Sequence, residues 1–230
     1  MNKMKLKLLS VCAIALTLIL LGCNKEQSAD VQAFASSDLQ MEMLHGDVHR
    51  VEVYEFIAKK NGVGLKLKYY KEYDEQGFLL PNGDFDEIRE LKEAARYTNN
   101  GNIVIHRNDK KQIESMALDA SDVWDSFDYT YDSIGTGYLT HRNASYFEAG
   151  GDVVYLYDTL QNLVGEKIRL YNHNESMQGE RIFTSIKYDQ KNNWIFRKVT
   201  ENRVISYEWS EREKKISKTY YEIRDIKYRE

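Results

Sequence analysis

Proline and cysteine are scarce in this chain, and each scarcity excludes a class of protein. One proline, Pro81, occurs among 230 residues, whereas disordered chains are enriched in proline and poor in aromatic residues. Two cysteines, Cys12 and Cys23, are too few for the disulfide framework of a small secreted domain. After Asn24, no uncharged run approaches the ~20 residues that a membrane-spanning helix needs. The chain is therefore expected to fold around a core of its own.

Aromatic residues are abundant. The sequence contains 17 tyrosines, 8 phenylalanines and 3 tryptophans. Aromatic and β-branched side chains fit the pleated, half-buried surface of a sheet. The composition therefore predicts a mainly β globular domain.

The first residues have the pattern of a secretory signal. Met1–Lys7 contains three lysines and no acidic residue, and the uncharged run Leu8–Leu21 follows, ending at Gly22-Cys23. A positive segment, a short apolar segment and a small residue before the cleavage site are typical of such signals. The run is shorter than the ~20 residues of a bilayer-spanning helix. We therefore expect residues 1–22 to be a signal peptide.

Leu20-Leu21-Gly22-Cys23 resembles the lipobox of bacterial lipoproteins. This resemblance implies cleavage between Gly22 and Cys23, a diacylglycerol group on the Cys23 thiol and, in many Gram-negative lipoproteins, acylation of the new amino terminus. Two or three acyl chains anchor a protein stably, whereas a single chain does not. Asn24 is not the aspartate that favours inner-membrane retention in enteric bacteria, so the outer membrane of the cell envelope is the expected location. The alternative is an ordinary signal peptide in which Cys23 occurs by chance.

Cleavage after Gly22 would change the charge and the available chemistry. It removes three lysines and no acidic residue, which lowers the formal net charge from −4 to −7. An acidic protein is a poor partner for nucleic acid, which demands a basic face. With Cys12 removed and Cys23 acylated, no free thiol remains for a disulfide, a nucleophile or a thiolate metal site. A chain of this length can bury roughly 70% of its unfolded surface, which is enough for one core.

The segment behind the lipidated cysteine is polar and small. Residues 23–46 are expected to form a flexible tether, with a short helix over Asp38–Leu44 as an alternative. Ordered structure is expected from Val48, within a single domain over residues 47–230.

A turn motif recurs along this domain. Its fullest copy contains Tyr73, Asp74 and Gly77 in the form Tyr-Asp-x-x-Gly-x-apolar. Weaker copies contain Tyr97 and Gly101, Tyr131 and Asp132, Tyr157 and Asp158, and Tyr188 and Asp189. Such a repeat indicates one supersecondary unit used several times. We expect the tyrosine to end a strand and the aspartate to cap the turn through backbone amides, with a glycine or asparagine in the left-handed conformation that closes it.

The motif resembles the Tyr-Asp repeats of the Rhs family and the looser Tyr-Asp-x-x-Gly-Asn units of many envelope lipoproteins. The resemblance implies stacked β-hairpins over roughly Val48 to the C-terminus. Long Rhs proteins wrap such repeats into a shell around a toxin, and this chain has too few units for that role. We therefore take the hairpin architecture alone from the resemblance.

The expected fold is an antiparallel β-meander of about ten strands, twisted or partly closed to protect its edges. Helix-forming residues with apolar positions at helical spacing predict one helix over residues 84–96. Residues 119–126 are expected to be an irregular connection. Residues 193–200 and 203–209 are expected to be separate strands that meet at Glu201-Asn202.

Catalytic patterns are weak. His45 and His49 have metal-ligand spacing for a helix, but Gly46 argues against a helix there. No Gly-x-Ser-x-Gly motif occurs, and Gly135-Thr136-Gly137 lacks the Lys-Ser/Thr of a phosphate loop. The acidic loop over residues 119–132 lacks the spacing of a calcium loop. Asp74, Asp132, Asp158 and Asp189 are accounted for as turn caps. We therefore predict no catalytic residue, metal or cofactor.

The predicted function is a non-catalytic binding or structural module, held to the membrane through Cys23, with a protein or glycan ligand. Two alternatives remain open. The first is a glycan hydrolase that uses a pair of carboxylates in an aromatic cleft. The second is an immunity lipoprotein that neutralises a toxin, which depends only on the resemblance to Rhs repeats.

Overall fold

A computed structural model describes residues 34–59, 62–96, 101–119, 125–132, 138–146 and 149–229. Within these ranges the chain forms two helices, α1 (Ser37–Met41) and α2 (Asp86–Ala95). The strands are β1 (Val48–Lys59), β2 (Gly62–Glu72), β3 (Ile103–Arg107), β4 (Ile113–Leu118), β5 (Ser126–Tyr131), β6 (Leu139–Tyr146), β7 (Ala149–Tyr157), β8 (Leu163–Asn172), β9 (Glu175–Tyr188), β10 (Trp194–Tyr207) and β11 (Ser210–Tyr228).

All eleven strands belong to one antiparallel sheet. Its order is β2-β1-β11-β10-β9-β8-β7-β6-β5-β4-β3. Strands β3 to β11 form a continuous meander, and the hairpin β1–β2 pairs with the last strand, from Val48 opposite Tyr228 to Glu55 opposite Glu222. The predicted antiparallel meander is confirmed. The sheet stays open, with β2 and β3 as its two edges.

Both helices lie on the concave face of the sheet, against its two edges. Lys71 of β2 forms an ion pair with Glu42, directly after α1, while Arg107 of β3 holds Asp38 of α1 with two hydrogen bonds of 2.7 Å. In α2, Ile88 and Leu91 are fully buried. Because α1 contacts both edge strands, the sheet curls around the helices and its edges approach each other.

The helix predicted over residues 84–96 is α2, and its apolar stripe faces the core as the spacing requires. For the segment before β1, the structure agrees with the predicted alternative, a short helix over Asp38–Leu44, because α1 lies there and the segment is buried. Leu39 and Leu44 are fully buried, and the Leu44 amide donates to the Leu39 carbonyl at 2.8 Å. Residues 37–46, assigned to the tether, are thus part of the domain. The few apolar residues of this segment are too widely spaced to predict burial from the sequence. They are buried because the curled sheet surrounds them.

Two further strand boundaries differ from the prediction. Strand β5 begins at Ser126, the last residue of the irregular connection predicted over residues 119–126, and it ends at Tyr131, as the turn motif predicts. Strand β10 runs without interruption through Glu201-Asn202, where a turn was predicted. The Glu201 side chain is buried at 1% exposure and lies opposite Arg181 of β9 and Lys218 of β11. In the sequence, the polar pair Glu201-Asn202 has the composition of a turn. Only the oppositely charged partners on the neighbouring strands show that it lies inside a strand.

Four turns at one end of the domain share the same geometry. The Oδ1 atoms of Asp74, Asn108, Asp158 and Asp189 each accept hydrogen bonds from the backbone amides two and four residues ahead. The residue three positions after each is left-handed: Gly77 (φ 83°), Lys111 (62°), Gln161 (66°) and Asn192 (67°). Tyr97 lies outside the described residues, as does most of the turn before Gly101. We call this end of the sheet the Asp-turn end.

Replacing Gly77 with alanine should destabilise the domain by about 2–3 kcal/mol. The left-handed conformation costs an L-residue roughly 1–2 kcal/mol, and a Cβ atom at position 77 would lie 2.9 Å from Leu39 Cδ1 and 3.1 Å from Ser36 Oγ. Overpacking adds a further penalty of about 1 kcal/mol or more. Urea unfolding of Gly77→Ala measures this cost.

The matched control is Gln161→Gly, at the same position of an exposed turn. It should change stability by less than about 1 kcal/mol, because relief of the left-handed strain and the added flexibility of the unfolded chain nearly cancel. Equal effects of the two substitutions would contradict the role of Gly77 in docking α1.

Candidate functional site

The concave face encloses a cavity of about 170 Å³. Residues from α1, α2, β2 and strands β6 to β11 line it, together with His45, Asn162 and Asn192 near the Asp-turn end. An apolar cavity of about 150 Å³ is large enough to hold benzene. The space therefore suits a small molecule, or one end of a larger one.

Six cationic side chains of the described residues line this cavity: Lys68, Lys71, Arg142, Arg181, Arg197 and Arg224. Five glutamates pair with them: Glu42, Glu87, Glu166, Glu201 and Glu222. The set carries one more positive than negative charge, although the whole chain has a formal net charge of −4. Asp86 also lines the cavity, but its carboxylate pairs with Arg89 at 2.9 Å. The concave face is thus a cationic region in an acidic protein.

Glu222 and Glu201 are the most enclosed of these acids, and Glu222 has the shorter ion pairs with the cavity wall. The environment of Glu222 determines its ionisation. Its side chain is 1% exposed, and it pairs with Lys68 at 2.5 Å and with Arg197, directly opposite on β10, at 2.7 Å. Burial opposes its ionisation, but the Arg197 guanidinium and the Lys68 ammonium outweigh that effect and lower the pKa of Glu222 to about 2. The carboxylate is therefore ionised at neutral pH.

Glu87 of α2 is held in the same way. Arg142 of β6 forms an ion pair with it, and the Tyr129 hydroxyl lies 3.5 Å from Oε1. Burial opposes ionisation, yet Arg142 and Lys71 prevail and lower the pKa of Glu87 to about 2. Both buried acids therefore remain deprotonated near pH 7, and neither is suited to donate a proton there.

A row of alternating charges crosses the concave face between β8 and β11. Glu166, Arg181, Glu201 and Lys218 occupy directly opposite positions on four successive strands. Arg181 lies 3.0 Å from Glu166 and 3.7 Å from Glu201, which in turn lies 3.2 Å from Lys218. Opposite charges facing each other across strands stabilise a register. The row fixes Arg181 in the wall of the cavity.

Trp194 positions two of the guanidinium groups. Arg197 and Arg224 lie over its ring at 4.2 Å and 3.9 Å from the centroid, and Arg197 also lies 3.7 Å from the Phe183 ring centroid. Guanidinium planes stack favourably on aromatic faces. The aromatic side chains thus hold charged groups in place at the cavity wall.

Glu90, one turn after Glu87 on α2, behaves differently from the other acids. The residue is exposed as a whole, but partial burial of its carboxyl group raises its pKa to about 7; Arg142 opposes the shift, while Asp86 and Glu87 reinforce it. The Tyr146 hydroxyl contacts its carboxylate. Glu87 and Glu90 thus have widely separated pKa values on one helix.

The raised pKa of Glu90 predicts a pH-dependent loss of stability. Since the folded state binds this proton more tightly than the unfolded state, the contribution is full below pH 4.5 and is lost as pH rises towards 7. Glu90→Gln should flatten the decline of stability between pH 5 and 8. Urea midpoints at several pH values test this, and an unchanged slope would contradict it. Glu93→Gln, on the same helix, is the matched control.

Of the tyrosines in the predicted turn motif, two line the cavity and two others lie outside its lining. Tyr157 and Tyr188 line the cavity, at the strand ends before the Asp158 and Asp189 turns. The Tyr131 hydroxyl instead donates to the Ile113 carbonyl at 3.0 Å. Tyr73 is buried at 3% exposure. Cys23 and Gly22 lie outside the described residues.

The histidines do not form a cluster. His45 lines the cavity and stacks on Phe34 with a centroid distance of 4.4 Å, whereas His49 is exposed. In the described part of the chain, no three His, Cys, Asp or Glu side chains are grouped so that they could hold a metal ion.

Sequence reasoning missed the arginines of the concave face. A signal does exist in β10, where Arg197 and Glu201 share a face with the fully buried Val199. Charges at buried-face positions of a strand indicate a polar interior. Their partners lie on other strands, so the ion pairs themselves could not be read from the sequence.

Comparisons with protein-family models, curated proteins and solved structures find no match for this chain. Over the residues that the structure describes, no helix has the length and apolar character needed to cross a membrane.

Proposed function

We propose that this chain is a lipid-anchored protein of the bacterial cell envelope that binds a small ligand, or the end of a glycan, in the concave cavity without catalysing a reaction on it. The cavity itself carries the proposal. Its buried carboxylates are tied to cations, with the pKa values of Glu87 and Glu222 at about 2. Such groups can orient a ligand but are poorly suited to exchange protons with it at neutral pH.

The anchor half of the proposal depends on the lipobox residues Leu20-Leu21-Gly22-Cys23. Cells expressing the full chain and fed a labelled fatty acid should label the wild type and not Cys23→Ser. The variant should also leave the membrane fraction, because the acyl chains supply its attachment. Equal labelling of both proteins would refute lipidation at Cys23.

The binding half is tested by thermal unfolding in the presence of sugars, sugar acids, amino acids and aromatic acids. A ligand of the folded state raises the unfolding temperature. Leu163→Trp replaces an aliphatic side chain of the cavity wall with a bulky indole ring, and it should abolish the rise in unfolding temperature. Val153→Phe is a second variant that fills the cavity. A shift that survives in both variants, or no shift with any compound, would contradict a binding site in the cavity.

A second candidate function is glycan hydrolysis, and Glu87 and Glu90 favour it. Two neighbouring carboxyl groups with separated pKa values are what an acid and an ionised partner require. Release of reducing sugar from polysaccharides by the wild type, lost in Glu90→Gln while the fold is retained, would support it. The absence of any release supports the non-catalytic proposal.

A further inference from the structure

Arg224, on the wall of the cavity, is a buried cation whose hydrogen-bonding capacity is largely unused. Its side chain is 4% exposed. It lies 3.8 Å from the Glu42 carboxylate and 3.5 Å from the Glu42 carbonyl, and its Nε has no hydrogen-bond partner among the described residues. A guanidinium has five N–H donors in a fork that fits an oxyanion. These two long contacts leave that fork available.

Glu42 does not supply the missing acceptor because a second cation shares it. The Lys71 ammonium forms the closer ion pair with Glu42, and both cations are largely enclosed. Lys71 also interacts with Glu87, which pairs with Arg142, so two carboxylates balance three buried cations. A buried charge without full compensation is costly, and a bound anion would remove that cost.

The ring of Trp194 fixes the orientation of the Arg224 guanidinium group. Arg224 packs on Trp194 at 3.9 Å from the ring centroid, which holds the plane of the guanidinium. Arg197, on the same ring, is already committed to Glu222 through Nε and Nη2 at 2.7 Å. Arg224 is thus the cation best placed to take a ligand.

We propose that the cavity recognises an oxyanion and that Arg224 binds it; this inference rests on the proposed binding function. The oxyanion is a carboxylate, sulfate or phosphate group, and the body that carries it is no larger than about one six-membered ring. The volume of about 170 Å³ falls below the ~300–1,000 Å³ of drug-sized sites. The excess of positive charge in the wall selects the sign of the ligand, since electrostatic attraction is strengthened in an enclosed site.

Isothermal titration of the purified chain tests this with matched probes: galacturonate against galactose, benzoate against benzamide, and inorganic phosphate. At least one anion should bind with one-to-one stoichiometry, and at least tenfold more tightly than its neutral counterpart. The identity of that anion separates a sugar acid, an aromatic acid and a free phosphate as the source of the shared group.

Two variants then examine the role of Arg224. Arg224→Lys keeps the charge but loses the fork, and should weaken anion binding at least tenfold. Glu42→Gln removes the competing carboxylate and should tighten binding several-fold, an effect that a purely structural role would not produce. Lys227→Gln, an exposed cation on the same strand that pairs with Asp225, should leave affinity unchanged.

The failures of the two proposals are distinguishable. If neutral probes bind as tightly as anions, or if a folded Arg224→Lys variant retains full affinity, the anion inference is wrong while binding in the cavity stands. If no probe binds here and no compound shifts unfolding in the cavity-blocking test, both proposals fall.

Discussion

Glu222→Gln is expected to destabilise the domain by about 3–5 kcal/mol at neutral pH. The substitution removes the negative charge between Lys68 and Arg197 and leaves the guanidinium of Arg197, which is 10% exposed, without its partner. Breaking a buried ion pair from one side has this cost because the remaining charge stays desolvated. The free energy of unfolding of a whole domain is only about 5–15 kcal/mol. The variant should therefore lose a large part of its folding stability. Urea unfolding measures the loss.

An exposed ion pair on the same strand provides the control. Asp225 and Lys227 pair at 2.6 Å, with side chains 45% and 48% exposed. Asp225→Asn should therefore cost less than about 1 kcal/mol. The double variant Glu222→Gln/Arg197→Gln should cost less than the sum of its single changes, because it removes both charges together. A cost for Glu222→Gln as small as that of Asp225→Asn would contradict the burial of this pair.

The same carboxylate should make stability depend on pH. Its pKa is lowered in the folded state from 4.5 to about 2, so its contribution is full above pH 4.5 and is lost as pH falls towards 2. The difference corresponds to about 3 kcal/mol. In Glu222→Gln the fall in stability between pH 5 and 2 should be shallower, although Glu87 still titrates in that range. Equal slopes for both proteins would overturn this assignment.

Leu44→Ala is expected to destabilise the domain by about 2–5 kcal/mol. Leu44 is fully buried, as is Leu39, with which it packs in the core beside the sheet. Removing a buried leucine side chain loses its transfer free energy and leaves a cavity. The result would show that residues 37–46 are part of the core and not of a tether. Denaturant unfolding supplies the measurement.

Leu160→Ala is the matched substitution on the surface. Leu160 lies in the Asp158 turn and is 71% exposed, so its loss should change stability by less than about 0.5 kcal/mol. If Leu44→Ala were equally mild, the segment before β1 would not contribute to folding stability.

The features predicted from sequence are those in which the determining contacts are local. The amphipathic spacing of Ile88 and Leu91 is a property of α2 alone. The Asp158 turn depends on a side chain bonding amides two and four residues ahead. Alternating aromatic and charged residues likewise indicate strands before any partner strand is known.

The candidate site could be predicted only in small part. Tyr157 and Tyr188 were singled out for their turns, and both line the cavity. Arg197, Glu222 and Arg224 were not identified, because each has the composition of an exposed strand position. Their burial depends on which strand lies opposite and which helix covers the face.

The sequence by itself determined a mainly β chain with capped turns and one amphipathic helix, because propensity and hydrogen bonding within a few residues suffice for each. The tertiary structure decided that β1 pairs with β11, that the sheet curls around α1 and α2, and that an acidic protein has a cationic interior face. These properties arise from contacts between residues far apart in the chain. A charge is buried stably only where such a contact brings its partner within reach.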